Sequence, residues 1–154
     1  MRVGIIGPES SGGRYLERLI SSSDDCPVVH HWSVPYGPSR GDRFWPPHRC
    51  PELIKGMDKL IITVRDWHSM ILSAEKEHTN DLYEADHNAR QAYKDIISIM
   101  AEHNNWRFVT YESLASKQCI VRLFEWLELE VSDIESFVDG NPKWGGESWW
   151  AHAG

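Results

Sequence analysis

Three sets of residues in this sequence have types and spacings that can do chemistry. The first is Gly7-Pro-Glu-Ser-Ser-Gly-Gly13 followed by Arg14. A turn of this kind that opens a helix presents its backbone N–H groups as a cradle for an anion. The backbone of Ser10, Ser11, Gly12, Gly13 and Arg14 would carry those donors, and the glycines, Gly7 among them, let a ligand approach closely. The same residues also suit a plain strand-to-helix turn with glycines for packing. A nucleoside triphosphatase loop would continue with Lys and then Ser or Thr, whereas Gly13 and Arg14 stand here. The hydroxyl that would ligate Mg²⁺ is therefore missing. Glu9 puts a carboxylate inside the loop, where it repels phosphate. The second set is Arg65, closing the apolar run Ile61-Ile-Thr-Val64, and Ser73, eight residues later. Arg offers a planar fork for phosphate and Ser a hydroxyl. An ion pair for Arg65 and a helix-surface hydroxyl for Ser73 are the alternatives. The third is His31, with His30 beside it. Imidazole takes up protons near neutral pH, and a strand histidine bonded to backbone is the other reading.

The elements that must position these residues follow from hydrophobic periodicity. Arg2–Ile6, Val28–Val34, Leu60–Val64 and Arg107–Thr110 are short apolar runs that read as strands. Tyr15, Leu16, Leu19 and Ile20 recur at helical spacing after the Gly7 turn. A helix is expected from about Trp67 to Glu77. A longer one is expected from Asp86 to His103, with Tyr93, Ile96, Ile97 and Met100 as its apolar stripe. Ser113 is the expected cap of a last helix whose stripe is Ile120, Leu123, Phe124 and Leu127. Strands alternating with helices imply one α/β domain over 1–154 with a parallel sheet of four or five strands covered on both faces. On such sheets ligands bind at the carboxyl ends of the strands. The loops at Gly7 and Arg65 should therefore share an edge. Positions 35–51 form a long loop with five prolines and with Arg40, Arg43 and Arg49, and the tail 132–154 is rich in Gly and Trp.

Composition narrows the function class. The chain has 154 residues, 41% hydrophobic and 25% charged, as in an ordinary soluble domain. A net charge of -7 argues against a general nucleic-acid binder, which needs a basic face. Cys26, Cys50 and Cys119 are odd in number and without a Cys-x-x-Cys pair, which implies free thiols in a reducing, cytoplasmic compartment. No secretory leader and no apolar run of about 18 residues is present, so no membrane span is expected. His30, His31, His48 and Cys50 fit no zinc signature, and no metal is expected. Eight tryptophans are many for this length. Trp32 or Trp45 suits either the core or stacking on a nucleobase.

Taken in order, these motifs resemble the sulfotransferase superfamily. Its members transfer sulfate from 3′-phosphoadenosine-5′-phosphosulfate on a three-layer, P-loop-like fold. Gly7-Pro-Glu-Ser-Ser-Gly-Gly-Arg14 is similar to the family's loop for the 5′-phosphosulfate. Val64-Arg65 with Ser73 is similar to its 3′-phosphate motif. Phe108-Val-Thr-Tyr-Glu-Ser-Leu114 looks like its strand ending in Tyr-Glu-x-Leu, and Lys143-Trp-Gly-Gly resembles its basic C-terminal loop. The resemblance spans most of the chain. It implies a nucleotide co-substrate held by Gly7, Ser10, Ser11, Gly12, Gly13, Arg14, Arg65, Ser73 and Lys143, without metal. It also implies a hydroxyl or amine acceptor, a cation at the transferring group, for which Arg14 or an arginine of the 40–49 loop is the candidate, and a base, for which His31 comes first with His30 and Glu9 behind it. The family's first loop usually carries a Lys or Arg where Glu9 or Ser10 falls here, and Ser33 stands in the place of its strand histidine. A P-loop kinase and a non-catalytic nucleotide-binding module are the competing readings.

Overall fold

The computed structural model describes residues 1–34, 54–79, 81–131, 134 and 137. Its centre is an all-parallel sheet of four strands in the order β2-β1-β3-β4. The strands are β1 (Arg2–Pro8), β2 (Val28–Val34), β3 (Lys59–Val64) and β4 (Trp106–Thr110). Each is followed by a helical segment or a crossover, as parallel pairing requires. β1 and β3 are the inner strands, and a strand buried on both faces needs no polar alternation. That is why Val3, Ile5, Ile6, Leu60, Ile61 and Ile62 form near-continuous apolar runs, none more than 1% exposed.

Among the described residues, the sheet is covered by α1 (Gly13–Ser21), α2 (Trp67–Ala74), α3 (Leu82–Glu102) and α4 (Lys117–Leu127). On one face α1 and α4 close over Val3, Ile5, Ile61 and Val109, with Leu16, Ile20, Ile120, Leu123, Phe124 and Leu127 between the layers. On the other face α3 lays Ala92, Ile96 and Ile99 on Ile6, Leu60 and Ile62. α2 packs beside it through Met70, Ile71 and Ala74 against Ala85 and Ala89. The expected three-layer α/β architecture is the observed one. No helix among the described residues is long and apolar enough to cross a membrane.

Three local expectations are corrected. The long helix begins at Leu82 rather than Asp86, and its buried line is Ala85, Ala89, Ala92, Ile96 and Ile99. Ile97, expected in the stripe, is 67% exposed. Alanines let α3 and α2 approach closely, so the contact line follows the small residues. The cap of α4 is Ser116, whose Oγ accepts from Cys119 N–H at 3.3 Å. Ser113 instead bonds back to Thr110 within a short 3₁₀ turn, Glu112–Ala115. Finally, the helix expected from Trp67 to Glu77 is α-helical only to Ala74 and continues from Glu75 to Thr79 as a wider π turn, which carries Glu77.

Lys59 ties the layers together at the start of β3. Its Nζ donates to the Trp126 carbonyl at 2.5 Å and to Glu128 Oε1 at 2.7 Å. Glu128 is the residue in the left-handed region (φ 61°) that ends α4, and the next N–H, of Leu129, returns to the Phe124 carbonyl.

Candidate functional site

β1 is paired with β2 on one side and with β3 on the other. Its following loop runs toward α1, while the loop after β3 runs the opposite way. A crevice at the carboxyl ends of β1 and β3 is the outcome, and open α/β sheets bind ligands at such points. A cleft of about 140 Å³ lies beside this crevice. It is lined by Pro8 through Arg14, by His31 and Ser33 of β2, and by Glu77 of the π turn.

The loop is shaped by two left-handed residues, Ser10 (φ 63°) and Gly12 (φ 92°), on either side of Ser11. Successive N–H groups of a turn with such a residue converge on a concavity that suits anions. Gly12 also precedes α1 and provides no side-chain cap. α2 and α3 are capped by Asp66 and Asp81, and α4 by Ser116. The start of α1 at Gly13 and Arg14 thus has no side-chain cap, and the positive end of the helix dipole lies at the cleft.

Glycine is needed at two of these positions for reasons of space. A Cβ at Gly7 would lie 1.8 Å from Thr63 Oγ1. Thr63 is fully buried and shares a 2.6 Å hydrogen bond with Ser11 Oγ, which also donates to the Pro8 carbonyl at 2.6 Å. The Ser11 hydroxyl is therefore occupied inside the fold, and Ser11 meets the cleft through its backbone. A Cβ at Gly13 would lie 2.2 Å from His31 Nε2, so the imidazole sits flush against the first turn of α1.

Arg65 is where the two expected loops meet. Its Nη1 donates to the Ser10 carbonyl at 2.9 Å, and its guanidinium lies 3.9 Å from the centre of the Tyr111 ring. The residue is only 8% exposed. The guanidinium thus meets a backbone carbonyl and an aromatic face. The Tyr111-Glu112 pair supports this arrangement from β4. Tyr111 N–H donates to the Val64 carbonyl at 2.7 Å, and Glu112 Oε1 accepts Asp66 N–H at 2.9 Å. Tyr111 and Leu114 also pack against the α-carbon of Gly12. One segment, 111–114, thus braces both loops, a role that the sequence reading did not assign to it.

His31 faces α1 together with Ser33, two residues along β2. Its Nδ1 lies 3.2 Å from Glu17 Oε2. Burial holds its pKa below 6.5; the Glu17 carboxylate pulls it up, and Arg14 adds to the downward push. Trp32 lies on the opposite face, stacked on His30 with ring centres 5.5 Å apart and packed on the Ile6–Ile62–Ile96 layer. It does not line the cleft and is half-buried against that layer. Arg14 lines the cleft and is exposed, as are two groups without a place in the expected site, Glu77 in full and Glu9 in part.

Of the residues expected to hold a ligand, Ser10, Ser11, Gly12, Gly13, Arg14 and His31 come together at the cleft, with Arg65 attached to its loop. Gly7 lies behind the loop as a spacer. Ser73 is 4% exposed on α2 and does not line this cleft. Lys143, Trp45 and the arginines at 40, 43 and 49 lie outside the described residues. Compared with known protein families, curated proteins and solved structures, the chain matches none.

Proposed function

We propose that this chain binds an adenine nucleotide across the loops that follow β1 and β3, and that it is a sulfotransferase-like protein using 3′-phosphoadenosine-5′-phosphosulfate. The observation that carries the reading is the junction of two anion-suited segments. The uncapped turn Ser10–Arg14 and the buried guanidinium of Arg65 are joined by a 2.9 Å hydrogen bond at a topological switch point. In this reading the backbone of Ser10 to Arg14 holds the 5′-phosphosulfate. Arg65 and Ser73 hold the 3′-phosphate, and Lys143 adds a cation from the tail.

Sulfuryl transfer asks for in-line positioning and charge neutralisation more than covalent help from the protein. The acceptor oxygen or nitrogen forms a bond to sulfur while the bond from sulfur to the 5′-phosphate oxygen breaks. The acceptor's proton passes to His31, and 3′-phosphoadenosine-5′-phosphate leaves. Among the described residues that line the cleft, Arg14, on the first turn of α1, is the cation for the transferring group. No metal takes part.

A second reading, a non-catalytic nucleotide-binding module, is favoured by Glu9 and Glu77, two carboxylates that would repel a transferring sulfuryl group. Thermal shift and calorimetric titration separate the readings. Binding of 3′-phosphoadenosine-5′-phosphate in the presence of a chelator, tighter than that of 5′-AMP, supports the sulfotransferase site. Magnesium-dependent binding of ATP supports a kinase. Equal affinities for the two adenosine nucleotides refute the 3′-phosphate clamp.

A further inference from the structure

The contact between α1 and β2 holds a relation that neither segment shows alone. Glu17 follows Gly13 by one helical turn, so the two residues present one face of α1. That face lies against β2 at His31. The imidazole is fastened at both ends: Nδ1 is 3.2 Å from Glu17 Oε2, and Nε2 is within 2.2 Å of where a Cβ at Gly13 would be. The His31 side chain is 14% exposed and that of Glu17 42%. The ring is therefore enclosed while its partner reaches solvent.

A neutral imidazole carries one proton on one of two nitrogens, and its partners decide which. An ionised carboxylate can only accept. The 3.2 Å contact to Glu17 therefore puts the proton on Nδ1 and leaves Nε2 with its lone pair. Nε2 is the ring atom nearest Gly13, the residue that begins α1 and lines the cleft. The charged groups around the ring are Glu17 and Arg14 on α1, Glu9 in the loop and Glu77 on the π turn, while His30 lies on the other face of β2. A histidine with a bare Nε2 at an anion-binding turn has the form of a general base.

We infer that Glu17 is a positioning residue. It holds His31 as the Nδ1–H tautomer, so that Nε2 is the proton acceptor of the cleft. The base role rests on the transfer reading above; the tautomer does not. When an acceptor hydroxyl loses its proton, Nε2 takes it, His31 becomes imidazolium, and Glu17 is already placed to neutralise it. The same function explains why residue 13 is glycine: any side chain there would drive the ring away from the turn.

Long-range ¹H–¹⁵N spectra of the uniformly labelled full chain, recorded across a pH titration, test this directly. In the wild type above the titration midpoint, His31 should show a protonated Nδ1 and a bare Nε2. Glu17→Gln is nearly isosteric at a half-exposed position and should fold. It should lower the His31 midpoint, because the carboxylate's upward pull is gone. Glu17→Ala should also convert the major tautomer to the Nε2–H form preferred by free imidazole. A wild-type His31 that is mainly Nε2–H overturns the inference, as does a midpoint unmoved by Glu17→Gln. A separate arm adds 3′-phosphoadenosine-5′-phosphate to the wild type. A rise in the His31 midpoint places the anion at the cleft. No change with the tautomer as expected refutes the nucleotide reading and leaves the Glu17–His31 pair standing.

Discussion

Replacing Arg65 by alanine separates the work this residue does for the fold from the ligand role proposed for it. In the fold, the guanidinium donates to the Ser10 carbonyl at 2.9 Å and lies 3.9 Å from the Tyr111 ring centre. A hydrogen bond from a charged donor contributes about 1.5–3 kcal/mol. A desolvated cation–π contact adds about 0.5–2 kcal/mol. Removing a buried charge gives back part of this, so the net loss should be about 2–3 kcal/mol. For a chain of this size that lowers the melting temperature by about 4–12 °C. Arg65→Lys keeps the charge but not the planar fork, and should recover less than half of the loss. Thermal denaturation followed by circular dichroism gives the number. A double-mutant cycle with Tyr111→Leu should show coupling of about 0.5–1.5 kcal/mol, since the two side chains touch. An Arg65→Ala protein that melts within a degree of the wild type would refute the bracing role. At a temperature where the variant is folded, calorimetry with 3′-phosphoadenosine-5′-phosphate and with 5′-AMP reads the second role. Loss of preference for the 3′-phosphate, by roughly 10-fold or more, is the expected result. An unchanged preference in a destabilised variant would leave Arg65 a brace alone.

Other changes test the remaining parts. Gly7→Ala should destabilise by about 3 kcal/mol or more in denaturant titration, because the new methyl falls 1.8 Å from buried Thr63 Oγ1 and breaks its bond to Ser11. Ser116→Ala should cost about 1 kcal/mol as the loss of a helix cap, and Ser113→Ala clearly less, which a comparison of urea midpoints resolves. His31 contributes a pH dependence of known sign. Its folded pKa lies below 6.5, so the unfolded chain takes up the proton first. Its share of the stability is whole above that value and falls as the pH drops through the folded pKa. The slope of stability against pH in this window should flatten in His31→Gln.

The fold was legible because its inner strands, β1 and β3, are buried on both faces. Runs such as Leu60–Val64 admit few other readings, and Ile120, Leu123, Phe124 and Leu127 are all buried as their spacing implies. The stripe of α3 was misplaced because alanine carries little hydrophobic signal, and Ala85, Ala89 and Ala92 mark its buried line only once α2 is seen against it. Ser113 and Ser116 are equivalent caps in sequence; a 3₁₀ turn decides between them. The Gly7 loop and Arg65 were visible as motifs, but their 2.9 Å junction was not. Glu17, Glu77 and the bracing by Tyr111 and Glu112 depend on contacts between residues far apart in sequence, and no local pattern encodes these. The spacing of Tyr111-Glu112 from the third strand could not show that the pair serves Arg65 and Asp66.

The central place of β1 has a consequence for how the chain acquires its structure. β1 precedes the other three strands of the sheet in sequence, yet it pairs with both β2 and β3, as Val3 does with Val29 and Lys59. The unit β1–α1–β2 can close as soon as residue 34 is available, and it contains the Gly7 turn, Glu17 and His31. One edge of β1 then stays open until Lys59–Val64 arrives, and β3 waits in turn for Trp106–Thr110. Parallel pairings at such separations make folding slow and expose unpaired edges during synthesis. The Gly7 turn and His31 should therefore be among the first parts to order, whereas Arg65 locks the Ser10 carbonyl only later. Early protection from hydrogen exchange in Ile5 and Leu16, before Ile61, is the kinetic trace this order would leave.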